Sequence, residues 1–211
     1  MHSIQDEALE QKKRGVLLVL TGPTGAGKDV VAQKILQNDP HASRITTTTT
    51  REKREGESEG NPYHFVSREI FEQMIANGEF FEWVEFRQEL YGTTRKEFEQ
   101  SLSQGSNTLW IIDLKGTKNI KEKVEALTQR SVFVFLGADS VSTLEQRVVK
   151  DQNSIAAKRW NESLATWELA QFADCDYLVM NTDGKLENTV NQVQAIMEAK
   201  RLQLFPSDTT E

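Results

Sequence analysis

The sequence predicts an α/β fold: a parallel sheet covered on both faces by helices and interrupted by an inserted α+β lobe. Three observations predict it. Short, predominantly apolar runs at 16–20, 108–112, 132–136 and 177–180 alternate with amphipathic stretches, the pattern of buried parallel strands joined by crossover helices. The first run passes at once into a glycine-rich turn and then into a helical period. Residues about 45–105 break the alternation with threonines, aromatic residues and charged loops. At 211 residues the chain has the length of one domain carrying an insertion, with enough sequence to bury a core unaided.

Each element has a local cause. Val16 to Leu20 is a buried strand by its apolar continuity. Val30, Val31, Ile35 and Leu36 recur at helical spacing, and Pro40 stops that helix. Ile45 and the threonines to Thr50 are β-branched and suit one strand. A polar loop with Gly56 and Gly60 follows, then a second short strand at Tyr63–Val66. Ser67 caps a helix that turns Ile70, Phe71, Met74 and Ile75 inward and ends at Gly78. Phe80 to Phe86 is aromatic and strand-like. Thr94 and Glu97 form a capping box for a helix ending near Gly105. Helices are expected near 115–126, 140–149, 156–172 and 185–201. Residues 1–14 read as a polar leader, 15–204 as the domain and 205–211 as a frayed tail.

Composition removes several classes of function. Charged residues make up 27% and hydrophobic residues 37%, a globular balance. The longest apolar runs are far shorter than the roughly 20 residues a membrane helix needs. The charged leader has no apolar stretch of the kind a secretory signal requires. The single cysteine, Cys175, can form no internal disulfide and precedes an expected buried strand, where it is expected in the core, so cytoplasm is the expected compartment. A net charge of −7 disfavours general binding to nucleic-acid backbone, so basic sites must be local. His2, His41 and His64 lack the spacing of a transition-metal site. Trp83, Trp110, Trp160 and Trp167 are expected to pack rather than stack on bases.

The segment Gly22-Pro23-Thr24-Gly25-Ala26-Gly27-Lys28-Asp29 carries the first chemistry. It has the G-x-x-x-x-G-K layout between a strand and a helix. Glycines let successive backbone N–H groups curl around phosphates, the helix start adds its positive end, and Lys28 neutralises the outer phosphates. This is a P-loop, and it makes the sheet the P-loop NTPase type. Asp29 stands where Ser or Thr usually touches Mg²⁺. A carboxylate is also a hard oxygen ligand, so Asp29 is the candidate metal residue; the other reading is an acid favoured by the helix dipole. Asp113, at the end of an apolar strand, sits where ligands gather in such sheets; it also reads as a cap for the next helix. In the insertion, Arg51 and Arg54 lie three apart in a glycine-bearing loop and can close on one phosphate.

Further motifs stand in order: T-T-R-x-x-R-x-G-E-x-x-G-x-x-Y-x-F-V over residues 49–66, then Glu79-Phe80-Phe81-Glu82-Trp83, Tyr91-Gly92-Thr93 and Ile112-Asp113. In these marks the chain resembles the guanylate kinases, over roughly residues 15–200. The resemblance implies an enzyme that moves the γ-phosphoryl of ATP onto GMP, with dGMP as a second acceptor, using Mg²⁺. It implies that the insertion is a GMP-binding lobe and that a short helical lid lies at about 148–160. By the same resemblance Arg51, Arg54, Tyr63 and Tyr91 hold the GMP phosphate. Glu82 accepts the two adjacent donors of guanine, Thr47 and Thr93 serve the remaining edge, and Asp113 lies nearby. Arg147 and Arg159 flank the lid and act on the transferring group, and Asn181 meets the adenine of ATP. Closure of lobe and lid is expected to exclude water.

The sequence also departs from the family pattern. Lys53 replaces a proline between the two arginines, Ile111 replaces the first acid of a D-x-D strand end, and the lid is short, with Lys150 as its remaining cation. Two other readings stay open on these residues. One is a guanylate-kinase-like module that binds a protein partner and has lost catalysis, which the intact Lys28 opposes. The other is a kinase of another phosphorylated acceptor such as ribose 1,5-bisphosphate, suggested by the G-K-D ending and opposed by Glu82, Tyr91 and Thr93. Oligomeric state has no signature in the sequence.

Overall fold

The computed structural model describes residues 15–86, 88–103, 105–112, 117–150 and 170–203. The expected leader, the tail and the lid beyond Lys150 lie outside the described residues, as does nearly all of the helix expected near 156–172. In chain order the elements are β1 (Leu17–Thr21), α1 (Lys28–Asn38), β2 (Ser43–Arg44), β3 (Thr47–Thr49), β4 (Ser58–Glu59), β5 (Pro62–Phe65), α2 (Arg68–Ala76), β6 (Phe80–Phe86), β7 (Glu89–Thr94), α3 (Arg95–Ser103), β8 (Thr108–Ile111), α4 (Thr117–Glu125), β9 (Ser131–Gly137), α5 (Val141–Lys150), a 3₁₀ turn (Ala170–Asp174), β10 (Tyr177–Met180) and α6 (Leu186–Arg201). The chain divides into two compact units, Met1–Ala42 with Gly105–Glu211, and Ser43–Gln104. The expected insertion is therefore a folded body of its own.

The first unit is built on parallel strands in the order β10-β9-β1-β8. Leu17 to Leu20 pair with Thr108–Ile111 on one side and with Ser131–Val134 on the other. Every residue of β1 and β9 is buried, as continuous apolar strands require. Leu18, Leu20, Val31, Ile35, Val134, Leu144, Val190 and Val193 share one core. Two expectations are corrected here. Val30 is 52% exposed, because α1 offers only one stripe to the core and Val31 and Ile35 occupy it. In β10 only Val179 is buried, while Tyr177, Leu178 and Met180 are exposed. The strand is apolar, but it lies at the sheet edge with β9 as its one neighbour.

The second unit holds a mixed sheet in the order β4-β5-β3-β7-β6. β3 pairs parallel with β5 and antiparallel with β7. The threonine run makes a strand only over Thr47–Thr49, with β2 separate from it. The loop with Gly56 and Gly60 contains β4, and Tyr91 and Thr93 lie in a strand, β7, that local patterning did not reveal. Ser67 caps α2 through its hydroxyl, which accepts from the Ile70 N–H at 3.3 Å. Thr94 accepts likewise from the Glu97 N–H at 3.2 Å, while Glu97 turns its carboxylate toward His64 Nε2 at 3.5 Å. Phe71, Phe80 and Leu90 form this unit's core, with Phe71 and Phe80 stacked at 4.3 Å. Ile70 points outward, since Phe71 and its helical neighbours Met74 and Ile75 supply the inward stripe. Trp110 packs as expected, but Trp83 is exposed; Trp160 and Trp167 lie outside the described residues.

Candidate functional site

In the first unit, β1 delivers the chain into the glycine loop and α1 leaves it. Gly22, Gly25 and Gly27 all hold positive φ, at 145°, 86° and 88°. At Gly27 the need for glycine is doubled: a Cβ there would lie 2.6 Å from the Asn181 side-chain nitrogen. Ala26 N–H closes a turn on the Pro23 carbonyl at 3.1 Å, and Val31 N–H begins the α1 ladder on the Gly27 carbonyl at 3.0 Å. The Lys28 ammonium folds back over the loop and donates to the Gly22 and Pro23 carbonyls at 2.6 and 3.1 Å. A cation placed over a glycine-rich turn at a helix start is an arrangement that can hold an anion. Thr24 lies within this loop, partly exposed, and Asp29 is exposed in the first turn of α1.

Two distant segments fasten the loop. The Asn181 amide donates to the Ala26 carbonyl at 2.8 Å, and its oxygen accepts from the Thr189 hydroxyl at 3.2 Å. Asn181 is buried, so it acts as a structural clamp on the loop. Arg147, in α5, donates from Nη1 to the Gly25 carbonyl at 3.2 Å and from Nη2 to the Asn181 carbonyl at 2.5 Å. Its Nε and Nη2 also reach one oxygen of Asp183, at 3.0 and 2.8 Å. Most of the donors of this guanidinium are thus committed to the loop and its neighbour strand end. Arg159 and Asp113 lie outside the described residues.

In the second unit the register gathers the other candidates. Thr47 stands opposite Tyr63, Thr49 opposite Tyr91, and Glu82 opposite Thr93. Directly opposed residues share a face, and alternate residues along a strand do too. Thr47, Tyr63, Glu82, Tyr91 and Thr93 therefore all lie on one face of this sheet. Thr93 is fully buried, Thr47 is nearly so and Glu82 is half-buried. Glu82 Oε1 accepts from the Thr93 N–H at 3.0 Å, which fixes the carboxylate across the β6–β7 pair. Tyr63 and Tyr91 meet edge to face at 6.4 Å.

Arg51 and Arg54 behave differently. Arg51 is 4% exposed, and its guanidinium lies over the rings of Tyr63 and Phe65 at 5.2 and 5.8 Å. Its Nη2 donates to both oxygens of Glu57 at 2.9 and 3.1 Å, and its Nη1 to the Glu52 carbonyl at 2.6 Å. Burial works against charge on both partners. Hydrogen bonding and charge attraction together outweigh it, so Arg51 is held above its ordinary range and Glu57 below its own. Arg54 is exposed, and its backbone N–H donates to Glu57 Oε2 at 2.8 Å. Glu57 stands in the arginine-loop motif with no role evident from the sequence; its spacing of six from Arg51 is the one local signal of the pairing. Asp183 belongs to the Asn181-Thr182-Asp183 segment that the family resemblance brings to the adenine of ATP, and here it pairs with Arg147; Thr189, which serves Asn181 from α6, carries no local signal.

Among the described residues, no group of three or more His, Cys, Asp or Glu side chains is placed to hold a metal ion. None of the described helices is long and apolar enough to cross a membrane.

The chain compares closely with known proteins. A family model described as guanylate kinase matches residues 14–200. The chain is similar to a guanylate kinase of Carboxydothermus hydrogenoformans, 38% identical and covering 90% of each chain. It is 35% identical to one of Rhodopseudomonas palustris, over 93% of this chain and 87% of the relative. Among solved structures it is similar to guanylate kinase from Anaplasma phagocytophilum, with a TM-score of 0.70 and 29% identity over 90% of this chain and 88% of the other. The glycine loop of one unit, the arginine loop and threonine-tyrosine face of the other, and these likenesses agree: the chain belongs to the guanylate kinase family.

Proposed function

We propose that this protein transfers the γ-phosphoryl group of ATP to GMP, giving GDP and ADP, and that dGMP is a second acceptor. The observation that carries the reading is the single sheet face bearing Glu82, Thr93, Thr47, Tyr63 and Tyr91, with Arg51 over the Tyr63 ring. Guanine presents N1–H and an exocyclic amine side by side, and one carboxylate accepts from both. Glu82 has that role, with Thr47 and Thr93 at the other edge of the base. Arg51, Arg54, Tyr63 and Tyr91 hold the nucleotide's phosphate. Adenine lacks the paired donors and leaves Glu82 unsatisfied, which disfavours AMP.

The donor side follows from the glycine loop. Its backbone N–H groups and Lys28 cradle the ATP phosphates, and Lys28 exchanges its carbonyl partners for phosphate oxygens. Asn181 and Arg147 keep the loop in shape. An oxygen of the GMP phosphate attacks the γ-phosphorus in line, and the bond to the β–γ bridging oxygen breaks with its electrons leaving on ADP. No covalent protein intermediate is needed, so positioning and charge carry the acceleration. Asp29 fits Mg²⁺ as an exposed hard oxygen ligand at the start of α1. When bound, Mg²⁺ would offset the charge developing on the phosphate oxygens. Arg159 and Asp113 are carried over from the family resemblance alone. Cytoplasm is the compartment we propose, on the sequence grounds above.

The relatives that match over most of the chain bear the name guanylate kinase, which disfavours both the non-catalytic module and the ribose 1,5-bisphosphate kinase. The test is ADP release with GMP, dGMP, AMP, CMP and ribose 1,5-bisphosphate as acceptors, joined to a thermal-shift panel of the same compounds. Turnover with GMP above all others is expected. No turnover with GMP, or a preference for the sugar phosphate, would overturn the reading.

A further inference from the structure

We infer that Glu57 is a positioning residue for the acceptor phosphate: its carboxylate orients Arg51 and fixes the loop that carries Arg54, and it remains in place when GMP binds. This inference rests on the proposed GMP reading of the same face.

Three observations lead to it. First, Arg51 is a buried cation, and a buried charge without a partner is strongly unfavourable. Both Glu57 oxygens meet its Nη2, while the Glu52 carbonyl takes Nη1. These contacts restrict the rotation of the guanidinium before any ligand arrives, so less ordering is left for binding to oppose. Second, the same Glu57 oxygen that meets Arg51 accepts from the Arg54 N–H at 2.8 Å. One carboxylate thus ties the backbone of one arginine to the side chain of the other. Third, Glu57 is itself mostly covered, with its side chain 15% exposed. A carboxylate serving only as a substitute anion would sit loosely and leave when phosphate arrived. This one is anchored to the loop by two groups, and its departure would cost the turn at Arg54 as well as the ion pair.

The charge balance is consistent with a stationary Glu57. Two arginines and one carboxylate leave a net charge of +1 for the incoming phosphate. The faces of Tyr63 and Phe65 cover part of the Arg51 guanidinium, so solvent screens it less than a surface group. Ionised Glu57 is expected to persist through the neutral range, because its pairing with Arg51 and Arg54 holds its carboxyl below the ordinary carboxylate range despite burial.

Glu57→Gln and Glu57→Ala, checked for folding by circular dichroism and thermal melting, test the inference. In both, KM for GMP should rise roughly ten-fold or more, the loss expected for a charge-assisted contact in a phosphate site. Glu57→Gln should lose less than Glu57→Ala, since it keeps an oxygen for the Arg54 N–H. KM for ATP should stay unchanged and kcat should change little. Binding of guanosine, which lacks the phosphate, should be the same in wild type and variants by calorimetry. An unchanged KM for GMP in both variants would overturn the inference. So would tighter binding of GMP in Glu57→Gln, which is the result a displaced substitute anion would give. If the wild type failed to phosphorylate GMP, the functional reading would fall first. Calorimetry with inorganic phosphate would then decide the positioning role separately: weaker binding in Glu57→Gln supports it, and equal or tighter binding rejects it.

Discussion

The side-chain amide of Asn181 donates to the backbone carbonyl of Ala26 at 2.8 Å, joining the end of β10 to the middle of the glycine loop across most of the chain. The same amide nitrogen occupies the space that a Cβ on Gly27 would need. The loop is shaped from within by glycine and from outside by this carboxamide and the Arg147 guanidinium.

Asn181→Ala removes that clamp and leaves the Ala26 carbonyl without its side-chain donor, while the Thr189 hydroxyl keeps the Lys185 carbonyl at 3.3 Å. The expected destabilisation is about 1–3 kcal/mol, measured by urea unfolding. KM for ATP should rise while KM for GMP stays near the wild-type value. A variant as stable as wild type with unchanged ATP affinity would show that the clamp is idle.

Gly27→Ala should be more damaging at the site than its size suggests. The residue holds φ of 88°, where an L side chain costs about 1–2 kcal/mol, and the new methyl group would push Asn181 away from Ala26. Loss of most ATP affinity is expected in a nucleotide-binding titration, with the fold retained by circular dichroism.

On the proposed reading of Glu82, Glu82→Gln replaces two acceptor oxygens with one acceptor and one donor. GMP selectivity over AMP should fall by roughly 10²-fold or more, carried by weaker GMP turnover per unit KM. The Thr93 N–H contact can be kept by the amide oxygen, so thermal stability should change little. Equal GMP and AMP selectivity before and after the change would remove Glu82 from the purine-reading role.

Stability should depend on pH through Glu57. Its folded-state carboxyl lies below the ordinary value of 4.5 because, against burial, hydrogen bonds from Arg51 and Arg54 favour the ionised form. A depressed folded value means the contribution is complete above the unfolded value and is lost as pH falls through the folded one. The thermal midpoint of wild type should therefore drop more steeply below pH 4.5 than that of Glu57→Gln. Parallel acid profiles for the two proteins would remove this residue as the cause.

Cys175 should be unreactive in the folded protein. Burial, with Asp176 beside it, pushes its thiol up to about 12 despite the opposing charge of Lys121. The thiolate is the reacting form, so at about pH 8 alkylation by iodoacetamide should be slow until the protein is unfolded. Labelling of native and denatured protein, read by mass spectrometry, checks this.

Much of the fold was legible because the decisive forces there are local. A short apolar run reads as a strand from its own residues, and β1, β8, β9 and β10 fall where the pattern puts them, although the exposed edge position of β10 shows that burial is set by the neighbours. The caps at Ser67 and Thr94 bind N–H groups only three residues away. The failures share a cause too. Val30 and Ile70 are apolar at helical spacing, but which apolar stripe is buried depends on the surface it meets. β7 holds Tyr-Gly-Thr, a weak strand by composition, and is a strand because β3 and β6 pair on either side of it.

The site divides along the same line. The sequence alone determined the phosphate loop, since glycine dihedrals, a helix start and a neighbouring lysine are all set within eight residues. It also presented the arginines, tyrosines, threonines and Glu82 as a set, but as separate positions on a string. Tertiary structure decided that Glu82 is held by the Thr93 backbone, that Arg51 is buried against Glu57 and two aromatic rings, and that Arg147 serves the glycine loop. Strand register and long-range hydrogen bonds make those choices. Both are won by the whole packed sheet at once, and no short window of sequence contains the competing pairings from which they are selected.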